Sequence, residues 1–91
     1  MNFEWDSAKE RLNIAKHGVS FTEAAEAFED KNRIIAIDHA HSTSSEMRYY
    51  CFAALPRGII TVRFTWRTGR VRIIGAGYWR EGKKVYEKKH I

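Results

Sequence analysis

Apolar residues recur at helical intervals in the first 30 residues and alternate as in strands after residue 33. Asp6 is a good N-cap for a first helix, and Gly18 can end that helix in the left-handed conformation. Ser20 and Glu23 form a capping-box pattern that opens a second helix ending near Asp30. The N-terminal third therefore predicts two short amphipathic helices.

The rest of the chain predicts strands followed by one more helix. Four β-branched and aromatic runs lie at 34–37, 48–55, 59–67 and 70–77. Turn residues at 56–58 and 68–69 join the last three runs into an antiparallel meander. The segment from Tyr78 onward favours a basic helix, which Gly82 weakens by about 1 kcal/mol. We expect one α+β domain over residues 1–91, with two N-terminal helices packed on a four-stranded antiparallel sheet and a basic C-terminal helix.

The last hairpin carries an unusual arginine pattern. A two-residue turn at Thr68-Gly69 would place Arg67 opposite Arg70 and Thr65 opposite Arg72. Strand alternation then sends the apolar side chains to one face and a polar set to the other. That polar set is Arg63, Thr65, Arg67, Arg70 and Arg72.

Like charges across an antiparallel pair cost up to about 1 kcal/mol, so folding alone does not favour this pattern. Guanidinium groups bind phosphate through two hydrogen bonds, and a bound phosphate would offset the repulsion. The alternative is a solvated sheet face with its arginines spread toward the edges.

Charge is distributed unevenly within a net charge of +5. Residues 1–55 hold six basic and nine acidic side chains, a net charge of −3, whereas residues 56–91 hold ten and two, a net charge of +8. A basic surface of this kind attracts polyanions, and nucleic acid is the first candidate. An acidic protein or an anionic membrane would satisfy the same field.

Composition restricts which class of protein this chain can belong to. A hydrophobic share of 44% in 91 residues is typical of one globular domain. The single cysteine, Cys51, excludes an intrachain disulfide and fits a reducing compartment. No apolar run approaches the roughly 20 residues of a membrane span, and the N-terminus has no signal-peptide character, so we expect a cytoplasmic protein.

Several segments form a recognisable combination: FEWD at 3–6, NIAKHGVSF at 13–21, EAAEAFED at 23–30, Glu46-Met-Arg48, Thr65-Trp-Arg67 and RIIGAGYWREGKKVYE at 72–87. Through them the chain resembles the BrnT family of bacterial toxins over almost its full length. The resemblance implies a ribonuclease toxin of a type II toxin–antitoxin pair with a fold similar to the RelE-like microbial ribonucleases. It also implies a BrnA-like antitoxin of ribbon-helix-helix type, through which alone the toxin would contact operator DNA. Many relatives carry Ser-Ala-Arg where this chain has Gly75-Ala76-Gly77, so one arginine is missing here.

Metal-free RNA cleavage needs a deprotonated 2′-hydroxyl, a stabilised phosphorane charge and a protonated leaving group. Electrostatic stabilisation is often the largest of these contributions. The sequence assigns catalysis to Arg67, Arg72 and Arg48, with Glu46 as the base and Tyr78, placed over the arginines, as the acid or a stacking platform. RNA binding is assigned to Arg63, Arg70, Trp79 and Lys83. No metal and no cofactor are expected.

Other chemically active residues receive structural interpretations. Trp5 and Trp66 are expected in the core, and Cys51 as a small buried hydrophobe. Tyr86 either packs against the sheet as a helix side chain, which is the expected structural role, or is a second candidate for the acid or the stacking platform. His39 and His41 form an H-x-H pair that lacks further ligands for a metal ion. A non-catalytic module that binds nucleic acid or an acidic partner through the same arginines is the competing function.

Overall fold

The computed structural model describes residues 1–91 as a five-stranded mixed sheet with three α-helices. The strands are β1 (Phe3–Trp5), β2 (Ile34–Ile37), β3 (Arg48–Leu55), β4 (Gly58–Arg67) and β5 (Arg70–Gly77). The helices are α1 (Ser7–His17), α2 (Phe21–Ala25) and α3 (Arg80–Lys89), and two short 3₁₀ turns cover Glu26–Glu29 and His39–His41. The order across the sheet is β1-β5-β4-β3-β2.

The predicted four-stranded antiparallel sheet was wrong at one edge, because β1 was missed. This three-residue strand pairs parallel to β5, with Glu4 aligned to Arg72. A strand of three residues is too short to show alternation, and a parallel neighbour leaves no turn between the two strands. The strand matters for function because it brings Glu4 to the arginines.

The β4–β5 hairpin has the predicted register. Arg67 lies opposite Arg70 and Thr65 opposite Arg72. The turn residues Thr68 and Gly69 have φ values of 51° and 76°, and two left-handed residues match the right-handed twist of a tight hairpin. A register shift lies further along, between Arg63 and Phe64 of β4, so the predicted alternation holds near the turn.

Helices α1 and α2 cover one side of the sheet, here called the helix face. The Asp6 side chain accepts hydrogen bonds from Ala8 N at 2.8 Å and Lys9 N at 3.0 Å, and Gly18 ends α1 with φ of 69°. Both predicted helices are present, although the second is α-helical only to Ala25 and continues as a 3₁₀ turn.

A buried asparagine fixes α1 to the sheet. The Asn13 side chain donates to the carbonyl oxygens of Val19 and Ala76 at 2.9 Å and accepts from Ala76 N at 3.1 Å. This holds β5 close to the helix just beyond the register shift, where the regular ladder is interrupted.

The core lies between these helices and the sheet. Its largest fully buried side chains include Phe21, Phe64 and Ile73. Cys51 is fully buried as expected, and burial raises the pKa of its thiol to about 12. Trp66 is 50% exposed, so its predicted core position was wrong. It lies next to the Thr68-Gly69 turn, at the tip of the hairpin, where its side chain stays half exposed.

The opposite side of the sheet, here called the arginine face, is covered at one end by α3. Gly82 makes this approach possible, because a Cβ there would lie 1.9 Å from Thr61 Oγ1. The glycine that weakens α3 as a helix therefore lets it pack directly on β4. No helix of the protein is long and apolar enough to cross a membrane.

Candidate ribonucleolytic surface

The arginines predicted from the hairpin share one side of the sheet, together with Arg48 on β3. Arg48 pairs with Thr65 across β3 and β4, in the row that also contains Arg72. The arginine face comprises Arg48, Arg63, Arg67, Arg70 and Arg72. Two carboxylates, from Glu4 and Glu46, contact four of these five guanidinium groups.

Glu46 lies between two arginines in the loop that precedes β3. Its carboxylate accepts from Arg48 Nε at 3.0 Å and from the Arg67 guanidinium at 3.3 Å. The hydrogen bond from Arg48, assisted by Arg67, lowers the pKa of Glu46. A carboxylate stabilised in this way holds a proton poorly, so this arrangement weakens the predicted role of Glu46 as a base.

Glu4 makes the corresponding contacts at the other edge of the hairpin. Its carboxylate accepts from the Arg72 guanidinium at 3.0 Å and lies 3.9 Å from that of Arg70. Sequence reasoning missed this acid because strand β1 was missed. The hairpin end of the arginine face is thus partly neutralised within the protein.

Arg63 differs from the other four arginines, because no carboxylate lies within salt-bridge distance of its guanidinium. It lines a cavity of about 480 Å³ between β3, β4 and helix α3. The walls also include Tyr50, Phe52, Thr61, Trp79 and His41, together with the largely exposed carboxylate of Glu81. The cavity therefore combines a cation that has no salt-bridge partner, aromatic surfaces, an imidazole and an exposed acid.

His41 forms a hydrogen-bonded pair with a buried carboxylate, that of Asp38. Asp38, which is 3% exposed, follows β2, and its two oxygens lie 2.9 and 3.1 Å from His41 Nδ1. Burial by itself would raise the pKa of Asp38, but the hydrogen bonds from His41 keep it below the usual value. The spacing Asp-x-x-His directly after a strand was available in the sequence. It was overlooked because His39 and His41 were considered only as metal ligands.

Two further polar groups line the same cavity. Burial, and then the nearby Asp38 charge, raise the pKa of Tyr50, so its hydroxyl keeps its proton at neutral pH. Thr61 Oγ1 is the only buried side-chain polar atom without a hydrogen-bond partner. It lies beneath Gly82, whose missing side chain leaves room for it.

Trp79 and Lys83 are both predicted to bind RNA, but only Trp79 lines the cavity. Trp79 lines the cavity, and its ring lies on Gly77, where a Cβ would be 2.4 Å from the indole. A longer side chain at position 77 would have to displace this ring. Lys83 is exposed and lines a separate groove on the other side of Trp79.

Tyr78 does not overhang the arginines, and this prediction of its position was wrong. Its hydroxyl donates to the Glu23 carboxylate of α2, and the Arg57 guanidinium lies 4.8 Å from its ring centroid. Burial and the hydrogen bond to Glu23 raise the pKa of Tyr78 to about 12. The turn after β5 directs this ring toward the helices, leaving Trp79 at the cavity.

Tyr86 of α3 lies away from the cavity. Its hydroxyl donates to Asp30 at 2.8 Å, and the same carboxylate oxygen accepts from Ala54 N on β3 at 2.8 Å. This agrees with the expected structural role. No group of three or more His, Cys, Asp or Glu side chains converges anywhere in the chain to form a possible metal site.

Comparison with known proteins gives one family. The model of the ribonuclease toxin BrnT of type II toxin–antitoxin systems matches residues 5–82. A search of curated proteins gives no match. The family match runs from the last residue of β1 to the first turn of α3, so it includes all five arginines of the arginine face and most residues that line the cavity. This chain therefore belongs to the BrnT family of ribonuclease toxins of type II toxin–antitoxin systems.

Proposed function

We propose that this protein is an endoribonuclease toxin that cleaves RNA without a metal ion on its arginine face and is inhibited by a cognate antitoxin. The observation that carries the proposal is the convergence of five arginines on one side of the sheet, beside a cavity with aromatic walls. Guanidinium groups that converge in this way stabilise the extra charge of a phosphorane. Aromatic walls provide stacking surfaces for unpaired bases.

The arginines have different roles in this proposal. Arg63 meets the scissile phosphate in the cavity, because it is the one arginine of this face without a carboxylate within salt-bridge distance. Arg48, Arg67, Arg70 and Arg72 hold the neighbouring phosphates and exchange their contacts with Glu46 and Glu4 for contacts with RNA. Trp79 stacks on a base, and Lys83 contacts the backbone beyond it.

The partners follow from the family and from the charge. A type II system pairs a toxin with a protein antitoxin, and we propose one of ribbon-helix-helix, BrnA-like type that covers the arginine face with acidic side chains. Operator DNA is then contacted only through the antitoxin. The cytoplasm, where RNA is available as substrate, is the proposed location. The antiparallel meander behind two N-terminal helices supports the implied RelE-like fold.

An RNA cleavage assay with chelator tests the proposal. Antitoxin-free protein, incubated with total RNA, is expected to cleave equally well with and without EDTA. Arg67→Ala and Arg72→Ala are expected to lower the rate, and Arg11→Ala on the exposed surface of α1 serves as the matched control with an unchanged rate. Binding that weakens with salt, without any cleavage, would favour the non-catalytic module instead.

A further inference from the structure

The turn that carries His41 is held firmly in place. The backbone N–H of Asp38 donates to Arg48 O at 2.8 Å. Ser42 Oγ donates to Asp38 O at 2.7 Å and accepts from Arg48 N at 2.8 Å. The Asp38 carboxylate also accepts from His41 N at 3.2 Å, closing the turn. His41 is therefore positioned by the end of β2 and the start of β3 rather than by a loose loop.

The contact with Asp38 determines which ring nitrogen of His41 carries the proton. A carboxylate can only accept hydrogen bonds, so Nδ1 carries the proton that faces it. The lone pair then resides on Nε2, for which the structure provides no hydrogen-bond partner. The side chain is 53% exposed and lines the cavity, so Nε2 remains accessible to a ligand. A buried carboxylate that orients a histidine in this way also stabilises the imidazolium that forms when Nε2 takes up a proton.

A cation that can hold a phosphate lies beside this pair. Arg63 faces Tyr50 across β3 and β4. Burial raises the pKa of Asp38, the hydrogen bonds from His41 lower it, and the positive charge of Arg63 adds a smaller lowering. Arg63 and His41 line one cavity of about 480 Å³, within the range of about 300–1,000 Å³ that is typical of ligand sites. A phosphate on Arg63 would therefore bring the adjacent ribose within reach of the imidazole.

We propose that His41, oriented by Asp38, is the general base of this ribonuclease and that Arg63 binds the scissile phosphate. This inference rests on the proposed function. Nε2 of His41 takes the proton of the 2′-hydroxyl, O2′ forms a bond to phosphorus, and the bond from phosphorus to O5′ breaks. The leaving O5′ takes a proton from water, and the products are a 2′,3′-cyclic phosphate and a 5′-hydroxyl. His41 then returns its proton to solvent.

Removal and chemical rescue of the imidazole test this role. A positioned general base contributes about 10²- to 10⁴-fold to the rate, so His41→Ala should lower kcat by at least about 100-fold. Added imidazole should restore part of the cleavage, because it can occupy the vacated space and accept the same proton. His39→Ala is the matched control, since His39 is exposed in the same turn, does not line the cavity, and should keep the wild-type rate.

Asp38 acts as a positioning residue and needs a different readout. Asp38→Asn retains an oxygen acceptor for the turn but removes the charge that stabilises the imidazolium. We expect a lower kcat with an unchanged KM, and a variant that is folded by circular dichroism. A loss of RNA binding in parallel with the loss of rate would assign Asp38 a purely structural role and would overturn the positioning claim.

The outcomes separate this inference from the proposed function. Wild-type cleavage in EDTA together with wild-type cleavage by His41→Ala would overturn the inference and leave the ribonuclease function in place. Loss of cleavage in His41→Ala that imidazole does not restore, accompanied by lost RNA binding, would also overturn it. Absence of cleavage by the wild-type protein would overturn the proposed function itself, and the inference with it.

Discussion

The two ends of the arginine face differ in how their positive charges are balanced. At the hairpin end, Glu46 contacts Arg48 and Arg67, and Glu4 lies at 3.0 and 3.9 Å from Arg72 and Arg70. At the α3 end, Arg63 has no carboxylate within salt-bridge distance and lies in a cavity with His41.

The comparison shows that a cluster of arginines is not a uniform site. At the hairpin end an incoming phosphate must displace a carboxylate, and the gain in binding is reduced by the contact that is lost. At the cavity end the phosphate meets a guanidinium that has no carboxylate within salt-bridge distance, and the exposed Glu81 carboxylate lies elsewhere on the cavity wall. On the proposed function, charge at the hairpin end attracts and positions RNA, whereas the cavity stabilises the transition state.

The largest effect should come from removing the cation of the cavity. Arg63→Ala is expected to lower kcat by about 100-fold or more, because loss of one donor to a developing oxyanion costs about 10²- to 10³-fold. Arg70→Ala, at the exposed hairpin end, should raise KM a few-fold with little change in kcat. Initial rates on a short single-stranded RNA in EDTA measure both effects.

The arginine on α1 provides the control for this comparison. Arg11→Ala removes one positive charge from the other side of the sheet and should leave kcat and KM unchanged. If Arg70→Ala lowered kcat as strongly as Arg63→Ala, the two ends of the arginine face would be functionally equivalent, and the distinction made above would be wrong.

A smaller effect is expected when Glu46, which contacts two arginines of the arginine face, loses its charge. Glu46→Gln removes the charge that Arg48 and Arg67 share, so both arginines become available to phosphates. We expect RNA affinity to rise a few-fold at low salt. The slope of the logarithm of the binding constant against the logarithm of the salt concentration should also steepen, by about one released counterion. Binding titrations at several salt concentrations measure this, and an unchanged slope would show that Glu46 does not compete with RNA.

The hairpin could be predicted from the sequence because its determinants are local. Alternation in β4 and β5 and the Thr68-Gly69 turn fix the register, and they placed the arginines on one face. The same reasoning failed for β1, since a short parallel edge strand has no turn or alternation to reveal it. The carboxylate partner of Arg72 and Arg70 was therefore missed as well, because Glu4 reaches them only through the pairing of β1 with β5.

The cavity could be predicted only in part. Arg63 and Trp79 were assigned to RNA binding, but the space between them depends on how closely α3 approaches the sheet. Gly82 permits that approach through contacts with Thr61 and Phe52 on distant strands, which no local pattern shows. The same limit applies to Tyr78, whose direction is set by Glu23 on another element.

The position of bound RNA tests the account most directly. The Trp79 indole N–H is an NMR reporter on the cavity, and the backbone amides of Arg67 and Arg70 report on the hairpin end of the arginine face. A short RNA with a 2′-deoxy substitution at the cleavage position lacks the nucleophile and can be titrated without turnover. We predict large shifts for the Trp79 indole and the amides of Tyr50 and Arg63, with small shifts for the amides of Arg67 and Arg70. Shifts confined to the hairpin, with the Trp79 signal unchanged, would contradict the assignment of the cavity as the reactive site.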